Sequence, residues 1–285
     1  MNLELLHKLR DSVLVRLLLA PIIIIRNRII KKRFANSEDS EFIKQFKGKY
    51  DGKRCFIIGN GPSLTGGDLD LIQGEISFAC NRIYNIFNKT TWRPDFWMCT
   101  DAECLADEFQ NIKKLEGPVK FIRSMGKKYD IEETDQIHKI IIYDRFVLDK
   151  SKFMKNSLST ECHKYFSMSL TVTCEEIEFA MYMGFKEIYL LGVDHNYPIS
   201  IDKSGKKAVD SSVRSHFGGG GSKDANLHYI YIDAATQCYQ VYQDYAKQHG
   251  IHIYNATRGG KLEVFERVNL DDIVSSVKEK NIKRK

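Results

Sequence analysis

Apolar and polar residues fall in blocks along most of the chain. Short apolar runs end in glycine, asparagine or aspartate, and longer stretches with helical spacing separate them. Residues 54–58, 76–79, 96–99, 119–122, 140–143, 188–191 and 251–254 read as strands. Residues 101–115, 170–184 and 233–249 read as helices. In the second of these, Val172, Ile177, Phe179, Ala180 and Met183 lie close to one helical stripe, and Gly184 is placed to end it before the strand that follows. Strands alternating with helices over this length predict an α/β fold: a Rossmann-like, mostly parallel sheet with helices on both faces. No internal repeat is visible.

The N-terminal part has a different pattern. The uninterrupted apolar stretch 17–25 is nine residues long, and Arg16, Arg26 and Arg28 bound it. A membrane span needs about 20 apolar residues. Lys8, Arg10, Lys31, Lys32 and Arg33 add to the basic cluster, and no small-residue cleavage site follows. Apolar surface flanked by lysine and arginine predicts a basic amphipathic helix lying on an anionic membrane surface. A terminal helix packed on the domain or on a partner is the alternative. The expected organisation is therefore a membrane-associating helix and linker at 1–49, with 37–49 a polar linker or surface helix. A Rossmann-like nucleotide-binding catalytic domain follows at 50–270, then a basic tail at 271–285. Within the domain, 198–226 shows little periodicity and carries Gly205 and the run 218–221, which predicts a lid-like loop. The expected location is cytoplasmic and peripheral, on the inner face of the cell membrane.

Composition narrows the class. Hydrophobic residues at 43% and charged residues at 28% exclude a wholly disordered chain. Forty-three Lys and Arg against 37 Asp and Glu give a net charge of +6, gathered mostly at the two ends, and this does not call for nucleic acid as a partner. The seven cysteines form no C-x-x-C pair, so they are expected to be buried free thiols.

In an open parallel sheet, ligands bind beyond the carboxyl ends of the strands. Those ends carry Gly59-Asn60-Gly61-Pro62-Ser63-Leu64, Asn81, Asp101, Asp194-His195-Asn196 and Asn255. Gly59 and Gly61 predict a backbone nest for an anion, with Asn60 and Ser63 as neutral donors. The third glycine of the dinucleotide fingerprint is missing, Asn81 replaces its acidic residue, and no P-loop lysine follows. A nucleotide phosphate held by amides and asparagines fits better, although a tight strand-to-helix turn would use the same glycines. Asp68 reads as a helix N-cap. Asp101 reads equally as a helix start or as a ribose or Mg²⁺ contact. His195, His216 and His228 lie in or beside the lid region, and His216 and His228 are candidate proton acceptors. His7, His138, His163, His249 and His252 look structural or solvated.

The segment CFIIGNGPSL (55–64), Cys80-Asn81 and MGFKEIYLLGVDHNY (183–197) resemble two related groups. One is the bacterial sialyltransferases of glycosyltransferase family 42, with relatives that transfer Kdo. The other is the MptE-like family, named for an archaeal 6-hydroxymethylpterin diphosphokinase, and IYNATRGGKLEVFERV (253–268) is more similar to it. The resemblance covers roughly residues 53 to 270. It implies that Asn60 and Asn81 hold the CMP part of a donor. It also implies that the region of Thr171 and Thr173 lies near that donor, without the glycine of the sialyltransferases. Their catalytic stretch H-Y-I-G-H-S reads His228-Tyr229-Ile230-Tyr231-Ile232-Asp233 here, so the first histidine is present and the second is not. His216, in Ser-His-Phe, is the substitute base that the MptE-like resemblance offers.

Two enzymatic readings follow. The first is a glycosyltransferase that takes a CMP-activated acidic sugar to a glycan or lipid-linked acceptor in bacterial surface polysaccharide or lipopolysaccharide synthesis. His216 or His228 would be its base, Asp194 would sit in its catalytic set, and Lys206, Lys207 or Arg214 would steady the leaving phosphate. The resemblance implies that this reaction requires no cofactor and no metal. The second is a diphosphokinase moving pyrophosphate from ATP to a hydroxymethyl compound, with Mg²⁺ held by Asp101 and Asp194. A non-enzymatic assembly or nucleotide-sensing protein with a degenerate site is a third reading.

Overall fold

The structure is a computed structural model that describes residues 13–125, 128–132, 135–143, 158–201, 207–209 and 230–275. Its centre is an eight-stranded sheet in the order β13-β12-β8-β1-β2-β3-β4-β5. The strands are β1 (Arg54–Ile58), β2 (Ser77–Cys80), β3 (Phe96–Cys99), β4 (Val119–Arg123), β5 (Ile137–Ile140), β8 (Glu187–Leu191), β12 (His252–Asn255) and β13 (Glu266–Arg267). Every pairing in this sheet is parallel. β6 (Ile142–Tyr143) and β7 (Phe166–Ser167) form a small separate pair.

Both faces of the sheet are covered, which is why its strands are almost unbroken apolar runs. In β1, Cys55 and Ile57 enter one core and Phe56 and Ile58 the other. The first core is closed by α5 (Val172–Met183) and α6 (Ile232–Gln248). The second is closed by α3 (Gly66–Leu71), a 3₁₀ turn (Ile83–Lys89), α4 (Ala102–Lys113) and helical residues 270–275. Gly184 ends α5 in the left-handed conformation, φ 95°, and a Cβ there would stand 3.0 Å from the Asp51 backbone.

The segment at 37–49 carries a short helix, and it is built into the core. In α2 (Glu38–Lys44) Ile43 is fully buried, and Phe46 just beyond meets Phe96, Phe121 and Phe179 edge to face. Before it, α1 (Val13–Phe34) ends on buried Phe34, while Ile22, Ile24, Ile25 and Ile29 are exposed on more than one side of the helix. No helix among the described residues is long and apolar enough to cross a membrane.

The region expected as a lid-like loop contains two short strands, β9 (Ile199–Ile201) and β10 (Lys207–Val209), which pair antiparallel. β11 (Ile230–Tyr231) joins β9 in parallel. Three-residue strands are too short to show periodicity. His216, His228, Lys206, Arg214, the basic tail from residue 276 and the first twelve residues lie outside the described residues. The strand expected at 140–143 is replaced by β5 and β6, broken at Ile141. All seven cysteines are free and buried, as expected from their place in apolar runs.

Candidate functional site

Strand order reverses between β1 and β8. From β1 the chain runs outward through β2 to β5, then returns to add β8, β12 and β13 on the other side. The loops after β1 and β8 therefore border a crevice at the topological switch point.

These two loops are locked together. Gly59 N–H donates to Leu191 O and Gly61 N–H to Gly192 O, both at 2.8 Å. A Cβ on Gly59 would lie 2.5 Å from Gly192 O, and one on Gly61 1.7 Å from Asp194 Oδ2. Ser63 Oγ donates to that same Asp194 oxygen at 2.8 Å. The glycines thus serve the close approach of β8, and their amides are already used, so the expected anion nest is smaller than the sequence suggests. Pro62 has no N–H. The amides left to meet a ligand in this loop are those of Asn60 and Ser63. Asp194 is 9% exposed and acts as the latch between the loops.

The next strand ends supply amides of another kind. Asn60 Nδ2 donates to Cys80 O at 3.0 Å, tying β1 to β2. Asn81 follows in the left-handed conformation, φ 46°, with its N–H on Met98 O and its carbonyl accepting from Trp97 Nε1. Asn60 Oδ1 and Asn81 Oδ1 are buried and have no hydrogen-bond partner. Asp101 Oδ1 accepts from the N–H groups of Glu103 and Cys104, so it caps α4. At the start of α3 the cap is Thr65, not Asp68. Asp68 is the third residue of a capping box, and it also binds Arg258.

The N-terminus of the twelve-residue α5 reaches the same edge. Thr171 is its cap, accepting from Thr173 N–H at 3.3 Å and lying 3.5 Å from Tyr239 OH; Thr173 is 5% exposed. This helix also buries three carboxyls that its apolar stripe does not announce. Thr100 Oγ1 donates to Glu175 Oε2 at 2.6 Å, and Glu178 accepts from Ser159 N–H and Tyr242 OH. Neither oxygen of Glu176 has a partner. Burial pushes Glu175 up to about 7 and Glu178 up to about 8. Burial, with the neighbouring Glu175, raises Glu176 well above the ordinary carboxylate range. The signal in the sequence is that α5 has apolar residues on every side, which leaves its acids no polar face.

A loop after β12 roofs the β8 end. Asn255, 1% exposed, is turned inward and donates to Leu262 O, while Thr257 Oγ1 accepts from Val193 N–H. Lys261 N–H donates to Asp194 O at 2.7 Å, and Arg267 donates to Gly259 O and Gly260 O. Among the described residues no group of three or more His, Cys, Asp or Glu converges as a metal site. The open groove lined by Asp70, Phe87, Lys89 and Arg93 lies at the opposite edge, where the chain enters β3, and plays no part here.

A family model described as 6-hydroxymethylpterin diphosphokinase MptE-like matches residues 27–200, more than half of the chain. The chain belongs to the MptE-like family. The matched span of this MptE-like chain includes α2, the β1 and β8 loops and all of α5. No curated protein matches it significantly. Among solved structures it is similar to the MAf glycosyltransferase from Magnetospirillum magneticum AMB-1, at 16% identity and a TM-score of 0.46. That similarity covers 87% of this chain but only 41% of the other, so the MptE-like chain spans less than half the length of that protein. It is also similar to the sialyltransferase CstII from Campylobacter jejuni in complex with cytidine-5'-monophosphate, at 17% identity and a TM-score of 0.43, over 76% of this chain and 85% of that one. At these scores the activities of those proteins do not transfer to the MptE-like chain.

Proposed function

We propose that this MptE-like protein is a glycosyltransferase that takes a CMP-activated acidic sugar to a glycan or lipid-linked acceptor. The observation that carries the reading is the pair of orphaned amide oxygens, Asn60 Oδ1 and Asn81 Oδ1, at the ends of adjacent strands beside the switch point. A buried acceptor without a partner costs about 1–3 kcal/mol, and a ligand that donates to it recovers that cost. Ribose hydroxyls and the exocyclic amine of cytosine are such donors. The α5 N-terminus and the free amides of Asn60 and Ser63 suit the phosphate.

In the reaction, the acceptor hydroxyl attacks the anomeric carbon. A new C–O bond forms, the bond from that carbon to the phosphate oxygen breaks with its electron pair on CMP, and the hydroxyl proton passes to a base. His216 and His228 are the candidates for that base. The exposed isoleucines of α1 lie on more than one side, so it is not the amphipathic helix expected; with exposed Arg26, Arg28, Lys32 and Arg33 they still support contact of α1 with an anionic membrane surface, the place of a lipid-linked acceptor. A cytoplasmic, peripheral protein in surface-polysaccharide synthesis is the corresponding setting.

The family description favours a second reading, a Mg²⁺-dependent diphosphokinase. Its expected metal ligands, Asp101 and Asp194, follow β3 and β8, which β1 and β2 separate. Both carboxylates already have other partners, since Asp101 caps α4 and Asp194 accepts from Ser63 Oγ, which counts against this reading.

Thermal shift with CMP, CDP, UDP, GDP and ATP, each in Mg²⁺ and in EDTA, tests the choice. Ligand at 100 times its Kd adds about 2.7 kcal/mol of stability. CMP is expected to raise Tm in EDTA, and Asn60→Ala with Asn81→Ala to abolish the rise. Stabilisation by ATP with Mg²⁺ alone would refute the glycosyltransferase and support the diphosphokinase.

A further inference from the structure

His195 follows Asp194 at the end of β8, with the backbone in the left-handed conformation, φ 50°. The residue is only 7% exposed. The ring stands edge-on to Tyr197 at 5.7 Å and to Tyr239 at 5.5 Å, and Tyr239 reaches the cap of α5 through Thr171. His195 Nε2 lies 2.8 Å from Thr236 Oγ1, and Thr236 Oγ1 spends its one proton on Ile232 O at 2.9 Å. Thr236 must therefore accept from the imidazole, which fixes the proton on Nε2. Nδ1 is left as a bare lone pair, buried and without a partner. Burial also holds the ring's pKa down to about 4, so it stays neutral through the physiological range.

A neutral lone pair repels phosphate and carboxylate and accepts from a hydroxyl. We infer that His195 Nδ1 is the specificity-determining acceptor for a hydroxyl of the transferred sugar, oriented by Thr236 and walled by Tyr197 and Tyr239. This rests on the glycosyltransferase reading and deepens it. Asn60 and Asn81 follow β1 and β2, while His195 follows β8 on the other side of the switch point, one residue past Asp194 of the latch.

Calorimetric titration with two probes, CMP and CMP-N-acetylneuraminate, tests the assignment on wild type, His195→Phe, His195→Asn and Thr236→Val. Phenylalanine keeps the ring and removes both nitrogens. Asparagine tolerates the left-handed backbone and returns an acceptor near Nδ1. Wild type is expected to bind the nucleotide sugar at least tenfold more tightly than CMP. H195F is expected to keep CMP affinity and lose that tenfold margin, H195N to keep it within about threefold, and T236V to lose part of it, the size of one hydrogen bond. The Nδ1 nitrogen shift of wild type should read as unprotonated from pH 5.5 to 8 and move when the nucleotide sugar is added. Equal margins in wild type and H195F, or no margin in wild type, would overturn the role of His195 while leaving CMP binding in place. Failure of wild type to bind either probe would overturn both this role and the nucleotide reading.

Discussion

Glu176→Met should make the protein more stable, and increasingly so as pH rises. Glu176 lies in the middle of α5, fully buried, with neither carboxyl oxygen hydrogen-bonded. Its surroundings include the Cys55 and Cys80 thiols and the Glu175 carboxyl. Leaving a neutral polar group unpaired in such a place costs about 1–3 kcal/mol. Methionine has nearly the same length, no branch and no polar atom, so it fills the space without that cost. At this chain length about 1 kcal/mol moves Tm by roughly 2 °C, so the gain near pH 5 is about 2–6 °C.

The pH dependence follows from linkage. Burial raises the folded-state pKa of Glu176, so folding takes up a proton once the unfolded carboxyl has ionised. The stability this group contributes is whole below the ordinary carboxylate pKa and is lost as pH climbs toward the raised value. The loss is about 1.4 kcal/mol per pH unit, which the variant does not suffer. Scanning calorimetry from pH 5 to 8 should show the Tm gap widening by roughly 3 °C per unit. Glu176→Gln separates the two effects, because it keeps an orphaned amide but cannot titrate. It should gain little at pH 5 and still outlast wild type at pH 8. Parallel Tm curves for wild type and E176M, or a lower Tm for E176M at every pH, would refute the reasoning.

Glu175, pushed up to about 7 by burial, should contribute a loss of wild-type stability between pH 5 and 7, a contribution that levels off above 7. Glu175→Gln should remove about 3 kcal/mol of that slope in urea titrations at the two pH values. Gly61→Ala drives a Cβ into Asp194 and the Gly192 carbonyl and should cost about 1–3 kcal/mol, read by urea unfolding. Ser63→Ala leaves Asp194 Oδ2 without its 2.8 Å donor and should cost a similar amount. Both act through one carboxylate, so the double variant should lose less than the sum.

The sheet was largely legible in the chain because its strands are buried on both faces. RCFII and EIYLL stand out as strands of β1 and β8, and the polar residues directly after them lie at the strand ends, as the parallel topology requires. What depends on distant partners was not legible. Whether the amides of Gly59 and Gly61 are free is decided by Leu191 and Gly192, more than 130 residues later. The tautomer of His195 is set by Thr236, and only the fold places that hydroxyl at its Nε2. The cap of α3 was misread because Thr65 and Asp68 are both good capping residues. The reciprocal bonds between them put Thr65 at the cap and Asp68 three residues in. The segment at 37–49 looks polar because α2 turns only a narrow side inward. Ser40, Ile43 and Phe46 are buried, and Glu41 and Lys44 between them face solvent.

The pairing of β1 with β8 also dictates an order of assembly during synthesis. Arg54 lies opposite Glu187, so the central strand of the sheet emerges from the ribosome long before one of its two neighbours. Until then β1 is an edge, an apolar strand with a free row of amides and carbonyls, and such edges pair with other chains. A fragment stopping before Glu187 would keep that exposed edge permanently and would lack the β8 side of the crevice. A nonsense product or a stalled nascent chain of this length is therefore an aggregation hazard and a natural client for a ribosome-associated chaperone. The last third of the sequence both completes the site and shields the middle of the sheet.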